Sequence, residues 1–289
     1  MDPKFSLCVD GLTDVGLRRA NNEDAWWAGQ LTGPSRFMEP GPAPLLLAGP
    51  APALLLVSDG VGGANAGEVA SQMAVTLIAR ELGGEPSVLT QPESARAAIL
   101  RAVRAADDAI KAKAADPAFD GMGATLSLLC FAGDGNAWWT QAGDSRIYAC
   151  RHGRLRQISR DHSPVGRMRQ EGQITEEEAR RHPRRNQIDQ SLGDPINPFQ
   201  PDIGLERVQP GDVFLVCSDG VSDGLWDREI EQVLAGVRQP ADVRAAVQRL
   251  VAGARQASGR DNITAVVALV TPDGPEANRP GLWRRILRP

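Results

Sequence analysis

Five aspartates, Asp24, Asp59, Asp144, Asp219 and Asp261, stand at the ends of apolar segments or in adjacent turns, drawn from distant parts of a 289-residue chain. Aspartate is an ordinary turn and cap residue, so any one of them alone carries no chemistry. The pattern across them does. Two continuous apolar runs, residues 53–57 and 213–217, each end in Ser-Asp-Gly, at Ser58-Asp59-Gly60 and Ser218-Asp219-Gly220. Such runs read as strands buried on both faces and entering tight turns. If the two strands are neighbours in one sheet, their carboxylates meet at one edge. Carboxylates that meet must take up protons, unless a cation relieves them. A site of oxygen ligands alone selects Mg2+ or Mn2+ over zinc. Gly60 and Gly220 let the backbone approach a ligand, so the Gly60 carbonyl is a further candidate. Two such ions about 3.5–4 Å apart lower the pKa of a shared water from about 15.7 towards about 7 and yield a hydroxide suited to in-line attack on phosphorus. Arg19, five residues before Asp24, carries the planar fork that matches phosphate oxygens. Arg18 beside it reads as a surface residue.

The elements that must position these residues follow from periodicity and turn signals. Residues 5–9 and 24–30 read as strands, and the Pro- and Gly-rich stretch 31–52 as a loop without a fixed core role. Residues 64–82 read as a helix, with Val69, Met73, Leu77 and Ile78 at helical spacing. A second helix spans 92–114, with Ala95, Ile99, Val103 and Ile110 mostly on one face. Residues 125–131, 137–141, 146–151 and 155–158 form an antiparallel meander, with turn signals at Gly133-Asp134-Gly135 and His152-Gly153. The stretch 160–200 is polar with little strand character, and Thr175 is placed to cap a short helix with Glu178 three residues on. Residues 227–234 and 241–256 read as helices and 263–270 as a last strand. This order predicts an α+β fold, a four-layer α/β/β/α sandwich of two mostly antiparallel sheets flanked by helix pairs. The domain is expected to span 1–271, with 272–289 a Pro-rich tail.

Composition removes several classes. With 32 Lys and Arg against 36 Asp and Glu, the chain has no basic excess for a nucleic-acid backbone. Cys8, Cys130, Cys150 and Cys217 are widely spaced in apolar runs without a zinc pattern, which suits buried thiols in a reducing compartment. The N-terminus lacks a signal-peptide pattern, and no apolar run reaches the ~20 residues of a membrane helix. A cytoplasmic protein that binds neither nucleic acid nor membrane is expected.

Six segments then coincide with one family's motifs, in that family's order: RANNEDA (19–25), LLLVSDGVGG (54–63), GMGATL (121–126), AGDSRIY (142–148), LVCSDGVSD (215–223) and GRDNIT (259–264). The chain resembles the metal-dependent protein serine/threonine phosphatases of type 2C, in their bacterial form. The resemblance implies hydrolysis of phosphoserine and phosphothreonine by a hydroxide activated on two Mn2+ or Mg2+ ions, with a third ion in bacterial members. It implies that Asp59 bridges two metals, with the Gly60 carbonyl on one and Asp219 and Asp261 on the other. Glu23 and Asp24 would hold metal-bound waters, and Arg19 would clamp the substrate phosphate. Asp144 and Asp219, joined by Asp223, would support the third ion, while Thr125 and Asn262 fill supporting or packing positions. Residues 160–200 resemble the flap beside the active site, which influences protein-substrate choice. The implied partners are phosphoproteins, among them a Ser/Thr kinase and its targets.

Two departures stand out. Some eukaryotic relatives carry a histidine just after the Asp-Gly pair as general acid, and here that position is Val61. His152, His162 and His182 lie elsewhere, so the leaving-group acid is unassigned. The second departure is the 31–52 loop. The alternative readings are a small-molecule phosphatase or a non-catalytic interaction module on the same scaffold. A regulator of stress-response type usually carries sensor or membrane segments, and the sequence shows none.

Overall fold

The computed structural model describes residues 5–31, 44–47, 51–62, 66–132 and 135–272. In chain order the strands and helices are β1 (Phe5–Asp14), β2 (Asp24–Gln30), β3 (Leu45–Leu47), β4 (Ala53–Val61), α1 (Ala66–Gly84) and α2 (Pro92–Ala114). There follow β5 (Gly123–Ala124), β6 (Leu126–Phe131), β7 (Asn136–Ala142), β8 (Arg146–Arg151), β9 (Arg154–Gln157), α3 (Pro164–Gln170) and α4 (Glu176–Arg181). The chain continues through β10 (Asp202–Arg207), β11 (Val213–Cys217), α5 (Asp219–Gly224), α6 (Asp227–Leu234), α7 (Pro240–Ala257) and β12 (Ile263–Pro272).

Two sheets form, in the orders β3-β1-β12-β11-β8-β9 and β10-β7-β6-β4-β2, with β5 paired to β4. The apolar runs explain why they stack. In β4, Leu55 and Val57 enter the core between the sheets, while Leu54 and Leu56 face α1 and α2 on the other side. In β12, Val266, Ala268 and Val270 point between the sheets, and Ile263, Ala265, Val267 and Leu269 meet α5, α6 and α7. A strand apolar on both faces can only be satisfied by cover on both faces. Three cores between four layers result, as the sequence implied. The expected seam of α2 is buried at Ala95, Ile99, Val103 and Ile110. In α1 Ile78 is buried as expected, but it is joined by Ala66, Ala70, Ala74, Val75, Ala79 and Leu82. Val69, Met73 and Leu77 pack beside it only partly buried.

Several expectations need correction. The SDG strands are not neighbours: β4 and β11 belong to different sheets and bring their ends together across the sandwich. Neither SDG is a tight turn. After Ser58 the strand continues to Val61, because Gly60 and Val61 pair with Ala124 and Gly123. After Ser218 the chain turns into α5, which starts at Asp219. Leu45–Leu47, within the supposed loop, pairs with β1 and buries Leu47. The polar stretch 160–200 holds α3 as well as the capped α4, where the Thr175 hydroxyl accepts the Glu178 N–H and the Glu178 carboxylate accepts that of Thr175. β10 follows it, unforeseen, as an edge strand on β7. The Gly133-Asp134 turn, Gly63, most of the 31–52 stretch and residues 273–289 lie outside the described residues. Among the described residues no helix is long and apolar enough to cross a membrane, and all four cysteines are buried free thiols.

Candidate metal centre

The site forms where β2, β4, α5 and the β12 entry end on the same rim of the sandwich. Asp24 stands directly opposite Asp59 in the β2–β4 ladder. Like charges in a cross-strand pair destabilise a sheet unless something neutralises them. Asp59 is fixed through its backbone: its N–H donates to Thr125 Oγ1 at 2.9 Å and its carbonyl accepts from the Thr125 N–H at 2.8 Å. The Thr125 hydroxyl also lies 2.7 Å from Ser145 Oγ, which ties Asp59 to the turn that carries Asp144. Asp219 opens α5, and Asp223 follows one helical turn later on the same side. Asp261 accepts its neighbour's N–H from Asn262 at 2.9 Å and Arg19 Nη2 at 2.8 Å.

The supporting residues are polar and buried. Asn262 accepts the Glu23 N–H at 2.8 Å and donates to the Val15 and Asn21 carbonyls at 3.1 and 3.0 Å, clamping the segment before β2 to the start of β12. Ser218 and Thr264 donate their hydroxyls to Asp24 Oδ2 at 2.7 and 2.6 Å. Ser58, the matching serine of the other SDG, donates to the Thr125 carbonyl at 2.6 Å. Two glycines are required by close approach. A Cβ on Gly60 would collide with the Gly67 carbonyl, and one on Gly220 with the Asn262 carbonyl.

Arg19, Glu23, Asp59, Gly60, Asp144, Asp219, Asp223 and Asp261 line one cavity of about 440 Å³. Asp24 is the exception among the expected residues. It stands behind this wall, backing Asp59. The sequence reading missed Arg185, Asn186 and Ile188 of the flap and Ser258 and Arg260 of the α7–β12 turn, which also line the cavity. Nothing in their types marked them out, since exposed arginines are common. Ser218 and Thr264 lay within the matched motifs but had no role assigned. Val61 lines the cavity where the histidine was sought, and none of the three histidines does. His162 instead places Nε2 3.3 Å from Asp202.

Six carboxylates against three guanidiniums make this wall acidic. Burial drives the Asp59 and Asp219 carboxyls well above the usual carboxylate range, reinforced for Asp59 by Asp24 and for Asp219 by Asp144. Burial likewise pushes Asp24 up to about 6, against the two hydroxyls it accepts. Asp144 rises to about 7 through burial and the nearby Asp161, with Arg146 opposing. Asp59, Asp144 and Asp219 keep some surface on the cavity yet are crowded by surrounding atoms. Asp24 Oδ1 and Asp219 Oδ1 are buried without any hydrogen-bond partner. Buried polar atoms are nearly always bonded, so two orphaned carboxylate oxygens call for a ligand that brings positive charge. Among the described residues no three side chains are already closed into an ion-sized cage. The acids instead ring a larger space. Oxygen donors around such a space fit hard divalent cations with retained waters.

A smaller cavity of about 60 Å³ under the flap shares Asp144, Asp219, Asp223, Arg185 and Asn186 with the main one. The flap is fastened there by Arg180. Its Nη1 donates to the Asp223 carbonyl at 2.8 Å, Nη2 meets Glu176 at 3.1 Å, and the guanidinium lies 4.2 Å over Trp226. Asp161 accepts a two-pronged bond from Arg146, at 2.7 Å to Nη2, and anchors the base of the flap beside the Asp144 turn.

Known proteins resemble this chain in sequence and in fold. Residues 48–266 match the family model described as protein phosphatase 2C. The chain is 36% identical over 257 residues to the serine/threonine protein phosphatase PstP of Mycobacterium tuberculosis, covering 89% of this chain and 43% of that protein, so it spans less than half of that relative. It is 34% identical over 263 residues to the protein phosphatase PhpP of Streptococcus pneumoniae, covering 90% of this chain and 95% of that one. Its fold superimposes on the crystal structure of the Mycobacterium tuberculosis phosphatase with a TM-score of 0.73 at 36% identity, over 92% of this chain and 99% of the other. A structure of the PstP catalytic domain in complex with two manganese ions matches with a TM-score of 0.73 at 34% identity, over 92% and 99% of the two chains. The motifs, the four-layer sandwich and the acidic rim thus find one home: this chain belongs to the protein phosphatase 2C family.

Proposed function

We propose that the chain is a protein serine/threonine phosphatase that hydrolyses phosphoserine and phosphothreonine with two divalent ions, Mn2+ or Mg2+. The observation that carries this reading is the convergence of Asp59, Asp219 and Asp261 on one cavity, where Asp219 Oδ1 is buried without a partner. Relatives at more than 30% identity are named serine/threonine protein phosphatase PstP and protein phosphatase PhpP, and one structure of PstP holds two manganese ions. Asp59, the Gly60 carbonyl, Asp219 and Asp261 would hold the ions, with Glu23 beside them, Asp24 behind, and Asp144 and Asp223 towards the flap. When bound, the ions supply positive charge for the phosphate and the Lewis acidity that makes water nucleophilic near neutral pH.

The chain's own residues do the rest. Arg19 is held at the cavity by Asp261 at 2.8 Å and Glu23 at 3.6 Å. From there its remaining N–H groups can hold phosphate oxygens and orient the ester. Thr125 and Asn262 keep Asp59 and the Glu23 segment in place, so that the acids need not rearrange as charge develops. The flap narrows the cavity from one side, where a phosphoprotein would meet Arg185 and Asn186. The partners would be proteins phosphorylated by a Ser/Thr kinase, and the kinase itself. The cytoplasm fits as the place of action, since four buried thiols need no oxidising surroundings. Hydrolysis of a phosphothreonine peptide with Mn2+, and none in chelator, is the expected result. Full turnover in chelator would overturn the proposal.

A further inference from the structure

The acids of the cavity wall account for one of its three arginines. Arg19 is engaged by Asp261 and Glu23. Arg185, in the flap after α4, and Arg260, in the α7–β12 turn beside Asp261, line the same cavity from different segments. Both residues are exposed, and neither makes an ion pair among the described residues. Four other flap arginines, Arg167, Arg169, Arg180 and Arg181, are bound by Asp189, Asp227, Glu176 and Glu177, and Arg160 and Arg184, which form no ion pair among the described residues, do not line the cavity. The reason is local. Asp261 already accepts from Arg19 and from Asn262, and Asp223 feels Arg185 only through space, without an ion pair. Two exposed guanidiniums therefore line the cavity without an ion pair.

Resting on the phosphatase reading above, we propose that Arg185 and Arg260 make the site select phosphoproteins whose phosphorylated residue is flanked by acidic side chains. A peptide crossing the mouth with its phosphate in the cavity runs extended at about 3.3 Å per residue. Side chains two or three positions away then lie about 7–10 Å from the phosphorylated residue, at the lips of the cavity. A carboxylate there meets a planar fork it can engage through two bonds. A lysine there meets like charge. Because the pairs form at an exposed rim, each is worth about 2- to 5-fold in kcat/KM, and together about 10-fold. Salt weakens them, since the Debye length shrinks to about 3 Å at 1 M ionic strength.

The test compares phosphothreonine peptides with acidic, neutral or basic flanks, using the Mn2+-loaded protein at low and high ionic strength. The expected order of kcat/KM is acidic, neutral, basic, with the spread collapsing in salt. In the Arg185→Gln/Arg260→Gln double variant the acidic-to-neutral ratio should fall to about 1. In Arg185→Glu/Arg260→Glu it should invert. Fluorescence anisotropy of the same labelled peptides on the Mn2+-loaded protein should give the same order in affinity. The salt dependence of the unaltered protein needs no variant to fold. Hydrolysis of all three peptides at equal rates, or a ratio unmoved in the variants, would overturn this inference and leave the phosphatase reading intact. No hydrolysis of any peptide would overturn the phosphatase reading instead. The inference would then fall as well if the anisotropy showed equal affinities.

Discussion

Asp24→Asn should make the metal-free protein more stable while impairing the loaded one. Asp24 faces Asp59 across the β2–β4 ladder, and its Oδ2 accepts hydroxyls from Ser218 and Thr264. An asparagine of the same shape keeps that acceptor and puts an NH2 where Oδ1 now sits without a partner. Burial raises the Asp24 carboxyl from 3.8 to about 6. Each unit is worth about 1.4 kcal/mol, so the ionised group destabilises the metal-free fold by about 3 kcal/mol above pH 6. The sign follows from proton binding. Between about pH 4 and 6 the native state holds more protons at this position than the unfolded chain does, so stability falls as pH rises through that window. Asparagine removes this dependence. At neutral pH in chelator the variant should melt several degrees higher, taking about 2–4 °C per kcal/mol for a chain of this size. The advantage should vanish near pH 4. The assay is thermal denaturation followed by circular dichroism, in chelator, across that pH range. A variant less stable than the unaltered protein at neutral pH, or equally stable at every pH, would refute the argument that crowded carboxylates burden the empty site.

Two further outcomes are expected. Arg19→Ala should raise KM for a phosphothreonine peptide by about 10-fold, with a smaller loss in kcat, since a charged hydrogen bond to phosphate is worth about 1.5–3 kcal/mol; steady-state kinetics with unchanged KM and kcat would reject its phosphate role. Asn262→Ala leaves the Glu23 N–H and the Val15 and Asn21 carbonyls without their partner, and should destabilise the fold by about 2–4 kcal/mol in urea titration, whereas a loss under about 0.5 kcal/mol, typical of an inert surface change, would show that the clamp is idle.

The strands were legible because β4, β11 and β12 are apolar on both faces, a pattern that only covered sheets satisfy. Which sheet each strand joins was not legible. An apolar run specifies burial, and β4 and β11 are equally buried whether bonded side by side or stacked face to face. Nor could the tripeptide Ser-Asp-Gly state its own conformation. It stays extended at Asp59 because β5 supplies partners, and turns helical at Asp219 because Val221 and Gly224 pack under α7. The cavity residues that the sequence did reveal are acids on the motif strands and turns, where type and position coincide. Arg185 and Arg260 escaped because their role comes from the flap and the α7–β12 turn folding over the rim. β10 escaped because its alternation is only Ile203 and Leu205, half-exposed and interrupted by Gly204, too short to stand out from the polar stretch before it.

The central claim is that Asp59, Asp219 and Asp261 form one divalent-cation centre. Calorimetric titration of Mn2+ into the chelator-stripped protein tests it without relying on turnover. The account expects at least two ions per chain in the unaltered protein and loss of the tight binding in Asp59→Asn, with the circular dichroism spectrum unchanged. Binding of fewer than two ions, or identical titrations for the two proteins, would contradict it.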